Sequence, residues 1–155
     1  MASISSILIL HHLEPMWEKQ YRQRNTCFDL LQEKAIEFIE NAKIGNVIVT
    51  RFEDWQLKND YLPCFAEKVN NVYDYGYGWE IGQFDKLPGI EWCEGGNHSQ
   101  IVLIQQWMKD IKKHQKKTKC NVFIGGAFDG ECLEDLEIAL RHLEIKFNRV
   151  EELIV

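Results

Sequence analysis

The chain has no apolar run approaching membrane-span length, no Cys-x-x-Cys pair, no excess of positive charge and no low-complexity tail. Each absence removes a class of function. Without such a run no transmembrane helix is expected. Ser3 to Leu10 is apolar but short, and no Lys or Arg precedes it, so a strand is expected there and not a signal peptide. The cysteines at 27, 64, 93, 120 and 132 are odd in number and widely spread. That spacing argues against a disulfide frame or a structural zinc site and for reduced thiols in a cytoplasmic setting. A net charge of −6 and a pI of about 5.4 argue against general nucleic-acid binding. Gly95-Gly96 could form an anion-binding turn, but no Walker-type Lys accompanies it, which removes a triphosphate loop.

What is present suits a packed core. The hydrophobic share is 45%, with eight Phe, five Trp and five Tyr, in a length that fits one domain spanning 1–155. Ser6-Ile-Leu-Ile-Leu10 and Asn46-Val-Ile-Val-Thr50 are apolar runs of strand length, as in strands covered on both faces. Between them a helix is expected from a Thr26 cap to about Ala42, with Phe28, Leu31, Ala35, Phe38 or Ile39, and Ala42 on one face and Gly45 as its stop signal. A third strand is expected over Asn121 to Ile124, a helix from about Glu131 burying Leu133, Leu136, Leu140 and Leu143, and a last strand from Phe147 to Val155. A further helix is expected to about Gln115, with Ile101, Ile104, Met108 and Ile111 inward and a solvated lysine face. Residues 51–96 lose periodicity and read as an irregular, aromatic-rich insertion within the domain; so long a stretch is expected to be functional or to carry short elements of its own. The order predicts an α/β fold: a mainly parallel sheet of about four or five strands with helices on both faces, a Rossmann-like three-layer sandwich with the first strand in its centre.

The richest stretch is Asn121 to Leu140. It reads as a buried strand, a glycine turn and a helix opening near Cys132. A thiol there meets the helix dipole and backbone N–H groups outside the carboxyl end of a strand, where open α/β sheets place ligands. Glu131, Glu134 and Asp135 oppose a thiolate, and a small apolar packing role for Cys132 is the alternative. Gly126, five residues, Cys132, an aliphatic residue and a helix with Ala139 resemble the nucleophile segment of the isochorismatase-like cysteine hydrolases. Asn46-Val-Ile-Val-Thr-Arg51 resembles that family's second strand. The resemblance implies Cys132 as nucleophile. The family's Asp after the first strand falls where this chain has His11 and His12, and its Lys falls at Asn97-His98-Ser99, so neither is matched.

His11-His12-x-Glu14 follows the first strand. Either His could act as base, with Glu14 as its orienter. Neighbouring strand residues point to opposite faces, so both face one site only if the strand has already ended. A hydrogen-bonded loop pair is the structural alternative. Tyr73, Tyr75, Tyr77 and Trp79 alternate with Gly76 and Gly78; they could stack a ring or cover a pocket, or present one aromatic face to the core. The expected site is therefore Cys132, His11 and His12 for catalysis, with Glu14, Tyr75, Tyr77, Trp79, His98, Gly126, Asp129 and Gly130 for ligand binding. The leading expectation is a hydrolase attacking a carbonyl or amide carbon of a small molecule, without a cofactor, a nucleic acid or a membrane; an oligomer is left open. The alternatives are a non-catalytic small-molecule-binding or regulatory protein on the same fold, and a hydrolase using a divalent metal on His11, His12, Glu14 and Asp129.

Overall fold

A computed structural model describes residues 6–51, 57–74, 111–112, 119–142 and 144–155. The described strands are β1 (Ser6–His11), β2 (Asn46–Arg51), β3 (Asn71–Asp74), β4 (Asn121–Gly126) and β5 (Asn148–Ile154). They form one sheet in the order β3-β2-β1-β4-β5, parallel at every pairing. The expected α/β architecture, with the first strand in the centre, is what the chain adopts. The helices are α1 (Glu18–Gln23), which follows a 3₁₀ turn at Pro15–Trp17, then α2 (Phe28–Asn41), α3 (Leu57–Asp60), α4 (Pro63–Ala66) and α5 (Cys132–His142).

β1 explains the layering. All six of its residues are buried, so both faces of the strand must be covered. Leu8 and Leu10 join Val47 and Val49 of β2 and Phe28, Leu31, Ala35 and Ile39 of α2 in one apolar cluster. Ile7 and Ile9 point the other way, as strand alternation requires. On that side Ile48, Val122 and Ile124 are buried too, and α5 packs on β1 with Leu133, Leu136 and Leu140 inaccessible to solvent. Each such side chain contributes about 1.5–3 kcal/mol by burial.

Two local expectations need correction. Thr26 does not cap α2. The cap position is Cys27, without a side-chain bond, and the Glu18 carboxylate of α1 takes the Phe28 N–H at 2.7 Å. Ala42 is exposed and not inward, because α2 ends at Asn41. The insertion carries α3, α4 and an edge strand, β3, paired to β2 from Ile48↔Asn71 to Arg51↔Asp74. β3 has only four residues, too few for an alternation to show. Tyr75, Tyr77, Trp79 and His98, and most of the helix expected before Gln115, lie outside the described residues; Ile111 is helical and buried. No helix among the described residues is long and apolar enough to cross a membrane.

Candidate functional site

In this strand order the direction of winding reverses between β1 and β4. That is the switch point where open α/β sheets leave a crevice beyond the strand ends. Three residues stand in register there: His11 of β1 opposite Thr50 of β2 on one side and Gly126 of β4 on the other. Gly126 is required. Its φ is +107°, and an added Cβ would lie 1.9 Å from the His11 carbonyl oxygen. The absence of a side chain lets β4 close onto β1, and the Ala127 N–H then donates to that carbonyl at 2.8 Å.

His11 is the last residue of β1, and His12 has φ 54°. The strand therefore ends between them, which satisfies the condition for both rings to share one site. Their centroids are 4.4 Å apart. Both are buried, and so is Glu14. His11 Nδ1 lies 2.6 Å from Thr50 Oγ1. His12 Nδ1 lies 2.9 Å from Glu14 Oε2, and Trp17 Nε1–H donates to the same oxygen at 2.8 Å. The Tyr21 hydroxyl donates to the His12 carbonyl and accepts the Glu14 N–H at 3.1 Å. Burial of its oxygen pushes the Tyr21 phenol well above its ordinary range, so it stays protonated. This corner of the core is a polar network bonded to itself.

Burial holds His11 well below the ordinary imidazole value, and repulsion from a protonated His12 adds to it. A hydrogen bond to the backbone of Cys132 acts in the opposite direction, as a bond donated by the ring does. His11 is thus neutral near pH 7 and in contact with the first residue of α5. Cys132 itself is half-buried, and Cys27, Cys64, Cys120 and Cys132 form no disulfide. The Ala127–Phe128 peptide in the connecting turn is cis.

The turn into α5 closes on the Phe128 carbonyl, which accepts the Glu131 N–H at 2.9 Å and the Leu133 N–H at 3.2 Å. The Glu131 N–H is therefore engaged within the turn. Beside Gly130 a Cβ would meet nothing within 4 Å, so the turn is open there. Phe128 is buried beneath the turn, with the Trp17 ring edge-on at 5.7 Å and the Arg24 guanidinium over its face at 4.5 Å. Asp129 is drawn away. Its carboxylate receives Arg149 Nη2 of β5 at 3.0 Å, while Nη1 and Nε of the same guanidinium bond Glu137 at 2.7 Å and Glu151 at 2.9 Å. These three carboxylates hold the Arg149 charge firmly, raising its pKa beyond the already high ordinary value. No group of three or more His, Cys, Asp or Glu that could hold a metal occurs among the described residues.

The structure thus joins His11, His12, Glu14, Gly126 and the backbone of Cys132 at one strand end. It commits Asp129 to Arg149. Sequence reasoning missed Thr50, Trp17, Tyr21 and Arg149. Thr50 had a readable signal: a polar residue closing an apolar strand of the same length as the one His11 closes. No family model matches the chain, and no similar curated protein or solved structure was found.

Proposed function

We propose that the protein is a small-molecule hydrolase in which the Cys132 thiol attacks a carbonyl or amide carbon and the His11–His12 pair supplies the base. One observation carries this reading: His11, from the end of β1, bonds the backbone of Cys132, the first residue of α5, at the switch point of the sheet. That bond ties a candidate base to the backbone of the residue bearing the candidate nucleophile, far apart in sequence, at the strand ends where such folds bind ligands. The thiol proton passes to imidazole, sulfur forms a thioester and the leaving group departs protonated. Water then releases the acid. The developing oxyanion lies over the open side of the turn at Gly130.

The place of Cys132, opening a helix after a strand that ends in glycine, supports kinship with the isochorismatase-like cysteine hydrolases. The histidines then stand where that family has its Asp. The reduced thiols fit a cytoplasmic enzyme. Ligand contacts fall to Gly126, Gly130 and the aromatic insertion. The chemistry draws on no metal, so a chelator leaves the rate unchanged.

The test uses p-nitrophenyl acetate as an activated carbonyl. Intact-mass analysis should find one acetyl group on Cys132 before steady state, and Cys132→Ser, close in size, should abolish release of nitrophenol while the fold persists. Acetylation elsewhere, or undiminished turnover in Cys132→Ser, contradicts the proposal. A second reading, a non-catalytic binding protein on the same fold, is favoured by one feature: Glu14 is already bonded to both Trp17 and His12 within the core.

A further inference from the structure

We propose that the small molecule taken at this site carries a free carboxylate, and that Arg24 is the residue that selects it. This rests on the hydrolase reading and deepens it by naming the substrate class: an ester or amide of a small acid with a second, ionised carboxyl group at its far end.

Arg24 follows the last turn of α1 as its C-cap residue, and the turn that leads into α5 places its guanidinium. The group lies over the Phe128 ring, 4.5 Å from the centroid. That ring is itself fixed: it is buried, with Trp17 edge-on at 5.7 Å and Tyr21 at 5.8 Å. Attraction between a cation and a ring face holds the guanidinium in place without consuming its N–H groups.

Those N–H groups are little used within the protein. Among the described residues one nitrogen reaches the Gln20 carbonyl at 3.4 Å, a long bond, and another stands 4.0 Å from the Glu131 carboxylate, beyond hydrogen-bond reach. Arg149 shows the contrast, with its three nitrogens bonded to three carboxylates at 2.7, 2.9 and 3.0 Å. Arg149 is committed to structure. Arg24 is 40% exposed and held in place with its fork open. An arginine fork takes a carboxylate by two parallel charge-assisted bonds.

The fork also lies within a substrate's length of Cys132. Glu131 directly precedes Cys132, and neighbouring Cα atoms are about 3.8 Å apart. Adding one glutamate side chain and the 4.0 Å gap puts the guanidinium within roughly 13 Å of the Cys132 Cα. An extended diacid such as adipate, joined to sulfur at one end, bridges that interval. One guanidinium balances one negative charge, and the neighbouring Glu131 and Glu134 disfavour a dianionic phosphate.

The test compares mono-p-nitrophenyl adipate with its methyl ester, which lacks the charge at the far end. With either, the Cys132 S–C bond forms as the C–O bond to nitrophenol breaks, and the thiol proton leaves with nitrophenol. Wild-type Cys132 should be acylated about tenfold faster or more by the free acid, the worth of a charge-assisted bond. That ratio should fall toward one in Arg24→Gln, which the exposure of Arg24 allows to fold. Arg24→Lys keeps the charge and loses the fork, and should retain only part of the ratio. No preference in the wild type, or a full preference in Arg24→Gln, overturns the inference. Binding is read separately, from the Arg24 Nε–H NMR signal during titration with monomethyl adipate; the signal should shift, and dimethyl adipate should leave it in place. A shift without acylation of Cys132 by either ester means that the hydrolase reading fails and the carboxylate site stands. A signal unmoved by monomethyl adipate overturns the inference, whatever the thiol does.

Discussion

The two ends of the central strands use polar residues differently. At the amino end Ser6 Oγ accepts the Gly45 N–H at 2.9 Å and donates to the Lys43 carbonyl at 3.3 Å. Nearby, Asn70 Oδ1 accepts the Val47 N–H at 2.7 Å. These side chains satisfy loop backbone that strands leave over, an ordinary structural duty. At the carboxyl end His11 bonds Thr50 and His12 bonds Glu14, side chain to side chain, with titratable groups wholly out of water. Burying ionisable groups costs several kcal/mol each unless they are well paired. A small domain that needed only closed loops could have used the cheaper solution at both ends. The asymmetry is the ground on which the carboxyl end is proposed as the functional one, independently of any motif.

Substitutions at the two ends should differ sharply. Gly126→Ala has the largest expected effect. Its Cβ would overlap the His11 carbonyl at 1.9 Å, in a backbone conformation that also disfavours side chains. A loss above about 4 kcal/mol is expected, the range of severe single substitutions, seen in urea unfolding or as failure to recover native protein. Glu14→Ala comes next. It leaves the Trp17 N–H and the His12 ring without their acceptor in the core, and about 3 kcal/mol of lost stability is expected. A loss near zero would mean that water replaces the carboxylate, and the carboxyl end would then be less closed than described.

The third effect depends on pH. His11 is depressed in the folded protein relative to its unfolded value of 6.5. The unfolded chain then binds the extra proton between the two values, so this contribution is complete above about pH 6.5 and declines as pH falls toward the folded value. The slope in that window approaches about 1.4 kcal/mol per pH unit, the equivalent of one proton. His11→Gln should flatten it, as read by chemical unfolding at successive pH values. The smallest effect is expected at the other end. Ser6→Ala removes two loop bonds and should cost about 1 kcal/mol, with no change in that pH slope. A pH slope that changed equally in both variants would erase the contrast.

Much of the frame was legible in sequence because it follows local rules. Apolar runs marked β1, β2 and β4, periodicity marked the buried faces of α2 and α5, and the glycines after Ile124 marked the turn that ends β4. His11 and His12 could be placed at a strand end, but not into a shared site, since that required the left-handed turn at His12. What escaped depends on long-range pairing. Gln32 carries no signal of burial in an amphipathic helix, yet it accepts the Leu62 N–H at 2.8 Å and donates to the Phe28 carbonyl at 3.3 Å. The Glu18 cap of α2 arises ten residues upstream of Phe28. Asp129 looked available beside Gly130, and only the position of β5 brings Arg149 to it.

The most direct measurement is the order in which iodoacetamide alkylates the native cysteines, read by peptide mass spectrometry. Exposure alone favours Cys64, which is exposed, over the half-buried Cys132 and the buried Cys120; burial also pushes the Cys120 thiol up, against the thiolate. On the proposed reading, a base and a helix start acting on Cys132 would reverse the first comparison, modestly, because acidic neighbours oppose the thiolate. Alkylation of Cys132 ahead of Cys64 is the expected result. Reaction at Cys64 first, with Cys132 inert in the native protein, would contradict the nucleophile assignment.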